Sequence, residues 1–263
     1  MSTTDSQLPK APIVEAVLDI GCDLPPDLDL AALEGSARAC FQDRYPKFRA
    51  RLLEETTIVA KPDSEPKLSV RQGLQALQFL QADEKQLVQV RAQGFSFNRL
   101  APYTVLDDYL PEIERTWRLF VSLASPVQVR GIQLRYINRI LLPLAGGRVS
   151  LDDYLRLGPR LPDEQGLTLV GFLHQQTAVE TITGHKVTTV LTPQPLGEEH
   201  IPIIFDISVA SAATDSPQDW PQLVQVILSL RDLKNRVFRN TLSSQCLSLF
   251  QPQPSESASG TRP

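Results

Sequence analysis

Two arginines at alternate positions of one apolar segment are the first side chains in this sequence that could bind a ligand. The segment GIQLRYINRI, residues 131–140, has the pattern of a β-strand, in which successive side chains point to opposite faces. Arg135 and Arg139 are therefore predicted to share the face opposite the core. Guanidinium groups hold carboxylates or phosphates through paired hydrogen bonds. Asn138, next to Arg139, is predicted to lie at a β-bulge or to contact the same ligand.

A second row of polar and aromatic side chains is predicted earlier in the chain. If QVRAQGFSFNRL, residues 89–100, is read as one alternating strand, Arg91, Phe97 and Arg99 share a face together with Phe95. A phenylalanine ring beside arginines can stack on a planar ligand. Together with Arg135 and Arg139, these residues would line a polar cleft for a small anionic ligand or a protein partner.

Glu15 and Asp19 lie on one face of the first predicted strand, which begins near Ala11. We favour a structural role for them, in which they pair with Arg135 and Arg139 across neighbouring strands. The alternative is a catalytic role for Glu15 as a proton-transfer group.

Catalysis has weak support in this sequence. His174 is a candidate general base, and with Glu15 it would serve an enzyme of unrecognised type acting on an anionic small molecule. The sequence contains no Walker A loop, GxGxxG, HExxH, EF-hand or GxSxG motif, so we expect no cofactor and no metal. We therefore expect a non-enzymatic protein, with the enzyme as the alternative.

Composition argues against several further classes of protein. The chain has 263 residues and a formal net charge of −4, which argues against binding nucleic acid by neutralising phosphates. The N-terminal segment lacks the features of a signal peptide, and no run of about 20 apolar residues could span a membrane. Three well-separated cysteines fit a reducing compartment. We expect a cytoplasmic protein; its oligomeric state is left open.

The order of predicted elements divides the chain into two similar halves. Each half reads as a strand, a helix, three or four strands and a longer helix, which indicates an internal duplication. We predict an α+β fold with a mostly antiparallel curved sheet, helices on one face, and the first strands of the halves meeting at the centre. The predicted ranges are a loose N-terminus (1–9), a first half (10–126), a second half (127–250) and a disordered tail (251–263).

Three strings carry a resemblance to a known family: LPKAPIVEAVLDI at residues 8–20, FSFNRLAPY at 95–103 and RYINRI at 135–140. They resemble a sporadically distributed, uncharacterised family of bacterial proteins of about this length, and the resemblance covers essentially the whole chain. It implies no catalytic residue and no cofactor. Patchy distribution implies a mobile genetic context, such as an antiphage defence or toxin–antitoxin locus, and an accessory or binding role there.

Overall fold

The structure is a computed structural model that describes residues 8–59, 67–159, 167, 169–195, 197 and 199–251, without side-chain detail at 54–59, 67–72, 213 and 214. The predicted loose N-terminus and disordered tail lie outside these residues, except for residues 8, 9 and 251. The strands are β1 (Ile13–Asp23), β2 (Lys47–Val59), β3 (Lys67–Leu80), β4 (Gln86–Arg91), β5 (Gly94–Leu100), β6 (Gln128–Pro143), β7 (His174–Val179), β8 (Lys186–Pro193) and β9 (His200–Asp215). The helices are α1 (Glu34–Phe41), α2 (Leu106–Ala124), α3 (Leu151–Tyr154), α4 (Trp220–Thr241) and α5 (Ser244–Ser248).

The nine strands form one open antiparallel sheet in the order β2-β3-β4-β5-β1-β6-β9-β8-β7. β1 and β6, the first strands of the two halves, are neighbours at its centre. The remaining strands of each half extend outward from this pair on opposite sides. The predicted α+β fold with two similar halves is confirmed, including the meeting of the two first strands.

The long helices α2 and α4 cover one face of the sheet. α2 lies on β5, where Trp117 contacts Phe95 edge to face with 5.6 Å between ring centroids. α4 lies on β9 and β6, where Phe238 stacks on Phe205 at 6.0 Å. Both helices are amphipathic, so burial of their apolar sides against the sheet is the main force that holds them there.

A tight turn at residues 92–93 separates β4 from β5, where the sequence had indicated one continuous strand. Gly94 begins β5 at φ +132°, and a Cβ atom at this position would lie 2.1 Å from the carbonyl oxygen of Ile20. Only glycine fits this conformation and this close approach. The chain reverses direction here, so alternation read across the turn assigns side chains to the wrong faces.

Three tyrosine hydroxyls join the two halves on the helix-covered side of the sheet. Tyr103 lies between Tyr109 of α2 and Tyr136 of β6, at oxygen–oxygen distances of 3.1 Å and 3.3 Å. The Lys234 ammonium group of α4 lies 4.0 Å from the centre of the Tyr136 ring. Burial raises the pKa of all three tyrosines, so their hydroxyls remain protonated. The cluster therefore connects sheet and helices from both halves.

Candidate binding face

The sheet face opposite α2 and α4 carries polar and charged side chains over its centre, and we call it the open face. Alternation along β1 directs Leu18 and Ile20 into the core and Glu15 and Asp19 to the open face. The strand registers place the following polar residues on the open face as well: Gln78, Gln89, Arg91, Ser96, Asn98, Gln133, Arg135, Arg139, Asp206 and Ser208.

Arg135 lies near the middle of the open face and forms an ion pair with Asp206 of β9. Its Nε donates to both carboxylate oxygens at 3.0 Å and 2.9 Å, and Nη2 donates to Oδ2 at 2.6 Å. The side chain of Arg135 remains 46% exposed while that of Asp206 is 15% exposed. Hydrogen bonding to Asp206 raises the pKa of Arg135, and the charges of Asp206, Glu15 and Asp19 act in the same direction.

Arg139 lies four residues further along β6, on the same face and exposed to solvent. Its Nε donates a hydrogen bond of 2.9 Å to Oε1 of Gln194. The predicted two-arginine row therefore exists and no described helix covers it. The predicted partners are wrong, because neither Glu15 nor Asp19 forms an ion pair with these arginines in the described part of the chain.

A hydrogen-bonded chain of amides, which we call the amide chain, runs across β3, β4, β5 and β1. Gln78 donates to Gln89 at 2.9 Å, Gln89 donates to Oδ1 of Asn98 at 3.1 Å, and Asn98 donates to Glu15 at 2.8 Å. Ser96 also donates to Asn98, at 3.2 Å. Because Asn98 uses both ends of its amide, this network fixes the orientation of the Glu15 carboxylate.

Asp19 pairs with Arg91, so a second cross-strand ion pair lies on the open face. Nη2 of Arg91 lies 2.8 Å from Oδ1 of Asp19 and donates at 3.1 Å to the carbonyl oxygen of Phe95. Both side chains are partly exposed. Asp19 therefore pairs across β5 with Arg91, and not with an arginine of β6 as predicted.

Phe97 does not belong to the open face, and its predicted role as a stacking platform is wrong. It is 1% exposed and stacks on the ring of Tyr109 with 5.9 Å between centroids. Arg99 also points to the helix-covered side, since it pairs in register with Ala16 of β1. The turn before Gly94 explains both errors, because it places Arg91 and Phe97 on opposite faces.

Asn138 is a structural residue of the core and does not face a ligand with its arginine neighbours. It is 1% exposed, and its amide nitrogen donates to the carbonyl oxygens of Phe205 at 2.9 Å and Tyr136 at 3.3 Å. The register between β1 and β6 shifts at this point, between the pairs of Ile13 and Glu15. The predicted bulge is confirmed, and the predicted ligand contact is wrong because the side chain is buried beneath the helices.

The candidate acid–base groups do not converge. His174 begins β7 and pairs with the core residue Leu191, so its side chain lies on the helix-covered side, opposite Arg139. Two strands separate β7 from β6, a distance of about 14 Å at normal strand spacing. Glu15 lies on the open face and accepts a hydrogen bond from Asn98. A proton-transfer pair of His174 and Glu15 next to Arg139 is therefore excluded by this geometry.

Sequence reasoning missed both Asp206 and Asn98. Asp206 lies between Phe205 and Ile207, so a carboxylate within an apolar run was the available signal for the open face. Asn98 lies within β5, and its side chain is buried in the amide chain.

The described residues contain no cluster of His, Cys, Asp and Glu side chains that could hold a metal ion. Two shallow grooves lie on the described surface. One, of about 220 Å³, lies between Trp117 and Trp220, and the other, of about 440 Å³, lies around Pro25 and Pro26. Neither is lined by the open-face residues named above.

No helix of the described chain combines the length and the apolar character that crossing a membrane requires.

Searches for similar proteins found no matching family model and no matching curated protein.

Proposed function

We propose that this chain is a non-enzymatic binding protein that recognises a protein partner through the centre of its open face. The proposed setting is the cytoplasm, in an accessory role at a mobile defence or toxin–antitoxin locus, as the family resemblance implies. The observation that carries the proposal is the Arg135–Asp206 pair, a half-exposed guanidinium held in place on a sheet face that no described helix covers.

The pairing of charges on the open face favours a protein partner over a small anion. Arg135 is already bound to Asp206, and Arg91 to Asp19. A small anion would have to compete with these carboxylates for the guanidinium groups of Arg135 and Arg91. A protein surface can instead offer acidic groups to the arginines and basic or amide groups to the carboxylates at the same time. Electrostatic complementarity of this kind gives specificity more than raw affinity.

Preorganisation of the side chains supports the same conclusion. The amide chain and the two ion pairs hold Glu15, Asp19, Arg91 and Arg135 through hydrogen bonds or ion pairs to other strands of the sheet. Side chains that are fixed before binding lose little conformational entropy when a partner docks. An ordered polar surface of this kind is therefore suited to a macromolecular interface.

The test is affinity capture from native extract with the wild-type chain, the double variant Arg135→Ala/Arg139→Ala and the matched control Arg118→Ala. Arg118 is an exposed arginine of α2 that pairs with Glu114, so its removal changes charge on the other side of the molecule. We expect the wild type and the control to capture the same protein, and the double variant to lose at least about tenfold in affinity. Circular dichroism confirms that all three chains are folded.

Equal capture by all three folded chains would contradict the proposal. A folded wild type that instead retains a small anion, identified by native mass spectrometry and lost in the double variant, would favour the small-ligand alternative.

A further inference from the structure

Strand β7 forms one edge of the sheet and is exposed along most of its length. Residues 175–179 are exposed consecutively, so both faces of the strand are open to solvent. None of the described residues pairs with its outer side. The strand, HQQTAV, contains no Asp, Glu, Lys or Arg and no proline. Natural proteins usually protect such edges with charges, prolines or a covering segment.

The opposite edge of the sheet has the protection that β7 lacks. The described part of β2 carries Lys47, Arg49 and Arg51 at alternate positions. Lys47 and Arg49 form ion pairs with Glu84 at 3.0 Å and 2.6 Å. A further strand pairing with β2 would have to approach these fixed charges, whereas β7 contains no Asp, Glu, Lys or Arg side chain. The contrast identifies β7 as the edge that is suited to accept another strand.

The side chains around β7 are complementary to a second copy of themselves. Leu173 and Val179 are 71% and 61% exposed and lie on the same face by alternation. Gln176 lies midway between them in the sequence. Two-fold rotation about an axis perpendicular to the sheet, midway between Gln176 of the two copies, places Leu173 opposite Val179 of the second copy. The same rotation places Gln175 opposite Thr177. Leu173 of each copy then covers Val179 of the other copy.

We propose that β7 pairs antiparallel with β7 of a second copy of the chain, in the register that sets Gln176 opposite itself. A two-fold axis perpendicular to the sheet keeps each side of the sheet continuous across the pair. The open faces of both copies therefore lie on the same side and present two copies of the Arg135–Asp206 surface. An interface based on one six-residue strand is small, so the dimer is in exchange with monomer and its fraction depends on concentration.

The test is sedimentation of the full chain over a dilution series. We expect the wild type to reach twice its chain mass of 29.2 kDa. The variants Gln176→Lys and Gln176→Glu should each be monomeric, because identical charges meet at the axis. An equimolar mixture of the two variants should recover the dimer, since opposite charges then face each other. Gln225→Lys, on the exposed side of α4, is the matched control and should behave like the wild type.

Three outcomes would overturn the proposal. The first is a wild type that stays monomeric up to about 1 mM. This result would count against the proposal whether the β7 edge is free or covered by another segment of the same chain. The second is a Gln176→Lys variant that dimerises as well as the wild type, since the interface must then lie elsewhere. The third is a mixture of monomeric variants that fails to pair, which would exclude this register. The dimer test does not depend on the proposed partner binding, so the two proposals fail separately.

Discussion

Arg135 and Asp206 are diagonal neighbours on adjacent strands, and their side chains form a two-oxygen ion pair on a sheet face that no described helix covers. The residues directly opposite them in register are Ser208 and Ile137. Diagonal pairing lets the long guanidinium side chain lie along the sheet surface. The part of the guanidinium that does not contact Asp206 stays exposed to solvent. In the proposed interface, this exposed part contacts the partner.

A double-mutant cycle on Arg135→Ala and Asp206→Ala measures how much this pair stabilises the fold. Because the arginine is nearly half exposed, solvent weakens the attraction, and we expect a coupling free energy of about 0.5–1 kcal/mol. Urea unfolding of the wild type, both single variants and the double variant gives the value. A coupling of about 3 kcal/mol or more would show that the pair is mainly structural and would weaken the case for a recognition role.

Asn98→Ala should destabilise the fold much more than removal of an exposed asparagine. The substitution leaves the Gln89 amide and the Glu15 carboxylate without their partner, at a cost of about 1–3 kcal/mol in the free energy of unfolding. Asn240→Ala, at an exposed position of α4, is the control and should change stability by less than about 0.5 kcal/mol. Equal effects in urea unfolding would mean that the amide chain contributes no net stability.

The three cysteines should differ in reactivity. Burial raises the pKa of Cys22 and of Cys246 to about 12, so at pH 8 both thiols are protonated as well as shielded. Cys40 of α1 is only partly buried. Brief treatment with a maleimide at pH 8 should label Cys40 first, as read by peptide mass spectrometry, and the other two should react only after unfolding in urea. Rapid labelling of Cys22 in the folded chain would contradict the described packing.

The sequence predicted the open face correctly where a strand is long and uninterrupted. β6 alternates without a break through Arg135 and Arg139, so both were assigned to the correct face. The assignment failed for Phe97, because the turn at residues 92–93 was not recognised and the alternation was carried across a reversal of the chain.

The sequence could not show which side chains pair across the strands. The pairing of β6 with β9 connects residues about 70 positions apart, and local patterns do not specify which strands become neighbours. Glu15 and Asp19 were therefore assigned to the arginines of β6, although Asn98 and Arg91 are the residues that contact them. The meeting of β1 and β6 was predicted, because the repeated order of elements constrains the topology more strongly than it constrains side-chain contacts.

The most direct test of the open face as a binding surface is site-specific photocrosslinking in native extract. A diazirine-bearing residue replaces Ile137, which lies between Arg135 and Arg139 on the open face, or Gln225 on the exposed side of α4. We expect position 137 to crosslink one protein, Arg135→Ala/Arg139→Ala to remove this product, and position 225 not to yield it. The same product from both positions, or a product that persists in the folded double variant, would contradict the account.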